Sequence, residues 1–501
     1  MPQAGGEVRH HVDQLLPGPA LGGALGQPGH AAVAGQALHL PDAQRRQPDR
    51  LLPHPARPRG RAGHAGRGLT DPVEAPADAG IEARVAAGVL LNAALEKRQG
   101  LDEAMTRPPV STLAPADRAF ARAVAMAALR RLGEIDAILS KRMQRRPGPE
   151  VTTLLRVSLA QTLVLGTPAF AAVSTAVKLA ERDQKTRPFK ALINAVLRGV
   201  EREGPGKTSP VANLPDWLAA RWRAAYGEAA LTALAEATRQ EPATDLSVKP
   251  GVDAAALATA LDGVVLPGGS VRTGRRGDLT TWPGYADGDW WVQDAAAAVP
   301  ARLLDIQPGQ SALDLCAAPG GKTMQLAVAG ASVVALDRSA PRLRRLSENA
   351  KRIGVEVEVI AVPAEDWEDD RTFDAVLLDA PCTATGTYRR NPEALRAVKP
   401  ADVAKLADVQ HRLLDAAARR VKPGGRLVYC VCSLEREEGE TQAIAFARRN
   451  AAFRVVPADP AAVGAPAEAL TPEGWLRILP SMWADEGGLD GFFIAALERV
   501  A

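Results

Sequence analysis

The segment Ala312-Leu313-Asp314-Leu315-Cys316-Ala317-Ala318-Pro319-Gly320-Gly321-Lys322-Thr323 opens as a short apolar run and breaks into small residues and paired glycines. A brief apolar run bounded by turn residues reads as a buried strand. The glycines let backbone approach a ligand closely, and the helix expected to follow supplies free amide groups at its start. The next apolar run, Val333-Val334-Ala335-Leu336, ends at Asp337, seventeen residues past Gly320. An acid at that place commonly accepts hydrogen bonds from the ribose of an adenine nucleotide. A tight turn beside a solvated acid is the plainer alternative. Neither the Walker lysine pattern nor the dinucleotide glycine fingerprint is present, which lowers ATP and NAD as ligands.

Further runs follow at Val357–Ile360, Ala375–Leu378 and Leu427–Tyr429, separated by helical stretches. This alternation over residues 286–501 predicts an α/β, Rossmann-like domain, its mostly parallel sheet covered by helices on both faces. Ligands of such sheets bind beyond the carboxyl ends of the strands, so the residues just after each run are the ones to inspect. The fourth run ends in Asp379-Ala380-Pro381-Cys382 and the fifth in Cys430-Val431-Cys432-Ser433. One such cysteine would usually be inert and buried. Two at neighbouring strand ends, converging on the nucleotide loop, favour chemistry. All four cysteines (Cys316, Cys382, Cys430, Cys432) lie in the last 190 residues, unlike the disulfide framework of a small secreted domain. Only one residue separates Cys430 from Cys432, against the two a zinc site favours, so no metal is expected.

Upstream the pattern changes. Spacings of four (Ile81, Val85, Val89; Leu155, Leu159, Leu163; Ile193, Leu197; Leu192, Val196, Val200) predict an all-helical region over residues 79–203. The stretch Glu203-Gly204-Pro205-Gly206-Lys207 reads as a linker. Residues 210–285 read as a small α/β module, with Trp217, Trp222 and Tyr226 on a helix and strands near Leu246–Val248 and Val264–Leu266. Residues 1–78 hold six of the seven histidines and no Phe, Trp, Tyr, Lys, Ile or Cys. They cannot bury enough surface to order themselves, and are expected to be a disordered tail or an upstream extension. Net charge is only +3, but eight Lys or Arg face two acids between Arg118 and Arg146. That cluster, Arg142, Arg145 and Arg146 above all, either neutralises a phosphate backbone or is a solvated helix face. The absence of an eighteen-residue apolar run or a secretory signal predicts a cytoplasmic protein without a membrane span.

Cys316–Thr323, Asp379–Gly386 and Tyr429–Leu434 together resemble the signature segments of RNA cytosine-5 methyltransferases, most closely the bacterial small-subunit ribosomal RNA enzymes of the RsmB (Sun or Fmu) type. Gln293-Asp294-Ala295-Ala296 and Asp490-Gly491-Phe492-Phe493 also resemble that family. Asp117–Ala121, Leu129-Arg130-Arg131 and Asn194–Arg198 resemble its NusB-like helical domain. The resemblance spans roughly residues 80–501. It implies that Cys316, Ala317, Ala318, Pro319, Gly320, Gly321 and Lys322 cradle S-adenosylmethionine, with Asp337 on the ribose and Asp379 near both cofactor and base. Cys432 would be the nucleophile and Cys382 the residue assisting release, although DNA cytosine-5 methyltransferases use the cysteine of their Pro-Cys segment as nucleophile.

The chain departs from the family in two places. Pro363 stands where the family has an acid for the adenine, leaving Glu365 or Asp366 to replace it, and Cys430-Val431 stands where Ala-Thr is usual. The implied reaction is methylation of carbon 5 of a cytosine in RNA, expected to be 16S ribosomal RNA, through a cysteine adduct at carbon 6. Transfer RNA as substrate and a non-catalytic RNA-binding or antitermination factor are the alternatives. Arg389 and Arg390, close to the Asp379 motif, are expected to hold RNA, and the protein to act as a monomer.

Overall fold

The computed structural model describes residues 80–500, and the histidine-rich segment 1–78 lies outside them. Seven helices come first: Ile81–Leu95, Leu101–Met105, Pro115–Arg130, Leu132–Ser140, Pro149–Leu163, Ala169–Arg182 and Lys190–Glu203. Pro115 and Pro149 each occupy a first helical position, where a missing N–H costs nothing. The core they share is rich in alanine, with Ala86, Ala87, Ala121, Ala125 and Ala128 packed among Leu90, Leu91, Leu129 and Leu155. Small side chains let helices approach closely.

That choice of residue decides which face of the first helix is buried. Ile81 is buried, but Val85 and Val89 are exposed at 40% and 38%. The buried stripe of the first helix runs through its alanines and leucines instead. The four-residue spacing marks the helix, and burial sets which of its faces is the inner one.

Residues 204–209 carry no helix or strand. The helix Asp216–Ala237 follows, broken at Gly227. Next comes a four-stranded antiparallel sheet of β1 (Thr244–Val248), β2 (Gly263–Val265), β3 (Val271–Thr273) and β4 (Trp290–Val292), in the order β2-β3-β1-β4. Its fourth strand lies past residue 285, so the module reaches further than the sequence indicated.

The larger sheet contains β5 (Ser311–Leu315), β6 (Ser332–Leu336), β7 (Glu358–Ile360), β8 (Phe373–Asp379), β9 (Val421–Val431), β10 (Phe453–Val455), β11 (Leu476–Ile478) and β12 (Phe492–Arg499). The order is β10-β12-β9-β8-β5-β6-β7, with β11 also on β12. β7, β6, β5, β8 and β9 run parallel, while β10, β11 and β9 each pair antiparallel with β12. Successive residues alternate between two cores. Ala312, Val333, Leu377 and Val428 fill one, and Leu313, Val334, Leu378 and Leu427 the other. Burial on both faces is why these strands read as unbroken apolar runs. Strand order reverses at β5, so a crevice opens beyond the carboxyl ends of β5 and β8.

Candidate active site

The loop after β5 turns through Cys316, whose φ of 62° is left-handed, a conformation uncommon for a residue with a side chain. Asp337, at the end of β6, fixes that loop. Its Oδ2 accepts from the Ala318 amide at 3.1 Å, and its Oδ1 from the Ser339 amide at 2.8 Å. Arg342 completes the clasp, 3.4 Å from Asp337 and bonded to the Ala318 carbonyl. Gly320 has φ 107°, and a Cβ there would sit 2.7 Å from Leu346 Cγ. Only glycine fits before the helix Gly321–Val328 begins.

Lys322, expected in the cofactor cradle, reaches elsewhere. Its Nζ lies 2.7 Å from Asp379 Oδ2 and 5.2 Å from the centre of the Phe492 ring. Burial works against the ammonium, but the Asp379 carboxylate outweighs it and holds Lys322 above the ordinary lysine range; Cys430 and Cys432 add to the effect. Cys430 is fully buried and donates to Asp379 Oδ1 at 3.5 Å. Burial first, then the neighbouring Asp379 charge, pushes that thiol well up.

The parallel register pairs Asp379 with Cys430. Continuing both chains brings Cys382, three residues on, against Cys432, two residues on. Their sulfurs are 3.5 Å apart, and both side chains are half-buried. The hydrogen bond with Cys432, followed by burial, raises the Cys382 pKa well above a free thiol's. The two loops are stitched together. The Gly386 amide donates to the Cys432 carbonyl at 2.9 Å, the Leu434 amide to Thr385 Oγ1 at 2.9 Å, and the Gly491 amide to the Gly386 carbonyl at 2.9 Å.

A cavity of about 230 Å³ joins these parts, lined by Cys316, Ala318, Asp337, Asp379, Cys382 and Cys432 among others. Pro363 and Glu365 also line it, whereas Asp366 does not. Ala317, Pro319, Gly320 and Gly321 shape the turn without lining the cavity, and Lys322 and Cys430 lie behind Asp379. A larger groove of about 1430 Å³ lies at the opposite ends of the strands, around Ser311, Ser332, Glu358 and Phe373, far from any thiol.

Arg389 and Arg390, expected to hold RNA, are instead internal. Arg389 is 1% exposed and bonds the Gly487 carbonyl. Arg390 binds Asp294 at 2.6 Å, with Asp245 and Asp490 each at 3.4 Å. This buried ionic cluster fastens the small module to the large sheet and leaves neither guanidinium for a phosphate. The basic cluster of the helical region is partly committed as well. Arg142 donates to the Gly204 carbonyl at 2.8 Å, Arg146 pairs with Asp136 at 2.8 Å, and Arg145 is exposed.

Three groups near the site had been given no role from the sequence. Asp314, within β5, is buried with Oδ2 accepting from Thr323 Oγ1 at 2.6 Å. Gln293 braces the start of the helix Gly321–Val328, bonding Gln325 at 2.8 Å and the Trp291 indole at 2.7 Å. Glu438 lies between the two thiol loops. None follows from spacing, because each is defined by partners on other elements. Among the described residues, no cluster of three His, Cys, Asp or Glu could hold a metal ion, and no helix is long and apolar enough to cross a membrane.

Two family models match this chain: 16S rRNA methyltransferase RsmB/F over residues 301–498 and the NusB family over residues 81–202. The ribosomal RNA small subunit methyltransferase B of Xanthomonas campestris is 36% identical over 400 residues, covering 76% of this chain and 91% of the relative. The protein of that name in Thermus thermophilus is 34% identical over 420 residues, covering 80% and 92%. The crystal structure of PH0851, 24% identical with a TM-score of 0.66, shares the fold over 85% of this chain and all of that one. With thiols, acid and glycine turn gathered at one crevice, and relatives aligned over nearly their whole length, the chain belongs to the RsmB/F family of S-adenosylmethionine-dependent 16S ribosomal RNA methyltransferases that carry a NusB-type helical domain.

Proposed function

We propose that this protein methylates carbon 5 of a cytosine in 16S ribosomal RNA, with Cys432 as the nucleophile. The observation that carries the reading is the pair of thiols 3.5 Å apart at the wall of a cavity that also holds Asp379 and Asp337. Its lining fits S-adenosylmethionine. The acids Asp337 and Glu365 can accept from ribose hydroxyls and an adenine amine, and Asp379 faces a sulfonium favourably. When bound, that cofactor supplies an electrophilic methyl group.

Carbon 5 of cytosine is too weak a nucleophile to take that methyl unaided. Addition of the Cys432 thiolate to carbon 6 makes carbon 5 electron-rich. The Asp379 carboxyl group hydrogen-bonds the exocyclic amine and ring nitrogen 3, stabilising the adduct. Lys322 holds Asp379 in place from behind. Cys382 retains its proton, because the Cys432 contact and burial raise its pKa. A protonated thiol at that place is a partner for a departing sulfur. Loss of the carbon 5 proton to water supplies the electron pair that expels the sulfur from carbon 6, and Cys382, hydrogen-bonded to Cys432, stabilises the departing thiolate. The base must leave its stack to be reached from both faces. A 16S substrate is supported by the names of the relatives.

The test uses the full chain with 16S RNA and the methyl donor. Cys432→Ala should abolish turnover and form no protein–RNA adduct, while Cys382→Ala should attack, methylate and stall as a slower band on a denaturing gel. Cys430→Ala should remain active. Adduct in Cys432→Ala and none in Cys382→Ala would reverse the assignment. Bisulfite sequencing of 16S RNA from a deletion strain that lost no modified cytosine would refute the substrate.

A further inference from the structure

The two thiol loops share a buried side-chain anchor. Glu438 is completely buried. One oxygen, Oε1, accepts from the Thr383 amide at 2.9 Å and from Gln410 Nε2 at 3.2 Å. The other, Oε2, accepts from the hydroxyls of both Thr383 and Ser433. Thr383 directly follows Cys382, and Ser433 directly follows Cys432. Gln410 also donates to the carbonyl of Pro381 at 2.9 Å, on the other side of Cys382. The Tyr429 hydroxyl bonds the Glu438 carbonyl, fixing the residue against β9. One carboxyl group thus sets the position of each cysteine through its next residue.

The dependence is unequal. The Cys432 loop has other supports: its carbonyl accepts from Gly386, the Ser433 carbonyl accepts from Arg477 at 2.6 Å, and β9 runs up to Val431. Around Cys382, the Thr383 amide is held by Glu438, and the Thr383 hydroxyl by Glu438 and Ser433, itself a Glu438 partner. Loss of the carboxyl would loosen Thr383, and with it Cys382, more than Ser433 and Cys432. Burial raises the Glu438 pKa despite the four donors around it.

We infer that Glu438 is a positioning residue for release. It holds the Cys382 thiol against the Cys432 sulfur, so that the enzyme can detach from methylated RNA. The inference rests on the proposed roles of the two cysteines and adds a residue that touches neither RNA nor cofactor.

The experiment compares Glu438→Ala, Glu438→Gln, Thr383→Val and Cys382→Ala in the full-length protein with 16S RNA and S-adenosylmethionine. Steady-state turnover, the covalent complex on denaturing gels and the melting temperature are read for each. A loss of alignment of about 1 Å is worth about 100-fold in rate. Glu438→Ala should therefore fall about that far in kcat while the covalent complex accumulates, with the rate of its first appearance preserved within about threefold. Glu438→Gln, which keeps an acceptor for the Thr383 amide, should recover most of the turnover. Thr383→Val removes one hydroxyl contact and should accumulate less complex; it decides the matter if Glu438→Ala does not fold. Equal loss of attack and release with no complex, in Glu438→Ala and Thr383→Val alike, would overturn the inference, provided Cys382→Ala accumulates complex. If Cys382→Ala accumulates none, the assignment of the cysteines itself has failed, and this inference fails with it.

Discussion

Replacing Asp314 by Asn isolates the cost of ionising a carboxyl group beneath the glycine-rich turn after β5. Asp314 is 1% exposed, and its Oδ1 has no hydrogen-bond partner. Burial raises its pKa from 3.8 to about 7, opposed by the Thr323 hydrogen bond and assisted by the Asp379 charge. An acid whose folded pKa lies above its unfolded one holds a proton that the unfolded chain has released. Stability therefore falls as pH rises from about 4 to about 7 and levels off above. Each pH unit inside that window costs about 1.4 kcal/mol. Between pH 5 and pH 8.5 the wild type should lose about 3 kcal/mol through this group, and Asp314→Asn should lose none of it. The new amide leaves an N–H without a partner, at a cost of about 1–3 kcal/mol. That cost is the same at both pH values and cancels in the difference. Urea denaturation followed by tryptophan fluorescence at the two pH values, wild type against variant, measures it. A difference of differences below about 1 kcal/mol would mean that Asp314 ionises freely in the fold and that the burial argument is wrong.

Reversing Arg145 and Arg146 to Glu should weaken RNA binding and flatten its salt dependence by about two phosphate contacts, leaving methyl-donor affinity unchanged; unaltered RNA affinity would show the cluster to be a solvated face. Glu365→Gln should weaken S-adenosylmethionine binding by about fivefold, the worth of one modest hydrogen bond, and Asp366→Asn should not; calorimetry reads both, and the reverse ranking would remove Glu365 from the site. Gly386→Ala would put a Cβ 2.2 Å from the Gly491 carbonyl oxygen. It should therefore separate the Cys382 loop from that backbone and lower turnover by about 100-fold; normal turnover would show that the close approach is not needed.

The parallel strands and the residues at their ends were legible because fully buried strands announce themselves as apolar runs, and topology dictates where their ends meet. Cys382 and Cys432 were separately visible in this way, and the β8–β9 register brings them together. Arg389 and Arg390 show what could not be read. Their position just past the Cys382 loop suggested a phosphate, but Asp245 and Asp294, about a hundred residues upstream or more, and Asp490, equally far downstream, claim them. A charge in a sequence carries no record of its partner. Val85 and Val89 mislead for another reason. In an alanine-rich bundle the residues that pack most tightly are the small ones, so the larger apolar side chains need not mark the inner face. Lys322 follows a loop whose glycines suggest ligand binding, and only the fold shows it turning to Asp379.

The helix Asp216–Ala237 lies outside both family segments, yet it grips the residues after each thiol. The Trp222 indole donates to Glu435 at 2.9 Å, Arg221 pairs with Glu437 at 2.6 Å, and Trp222 stacks on Tyr388, whose hydroxyl bonds the Leu234 carbonyl. The boundary a biochemist would choose for excising the C-terminal half therefore falls in the wrong place. A cut at residue 286 would strip Glu435 of two of its partners and expose Tyr388, which is 1% exposed in the intact chain. A cut before Ser209 keeps that helix. For a lineage trading N-terminal helical domains, the same seam sets the terms of exchange: the helical domain can be replaced only by one that leaves this clamp behind.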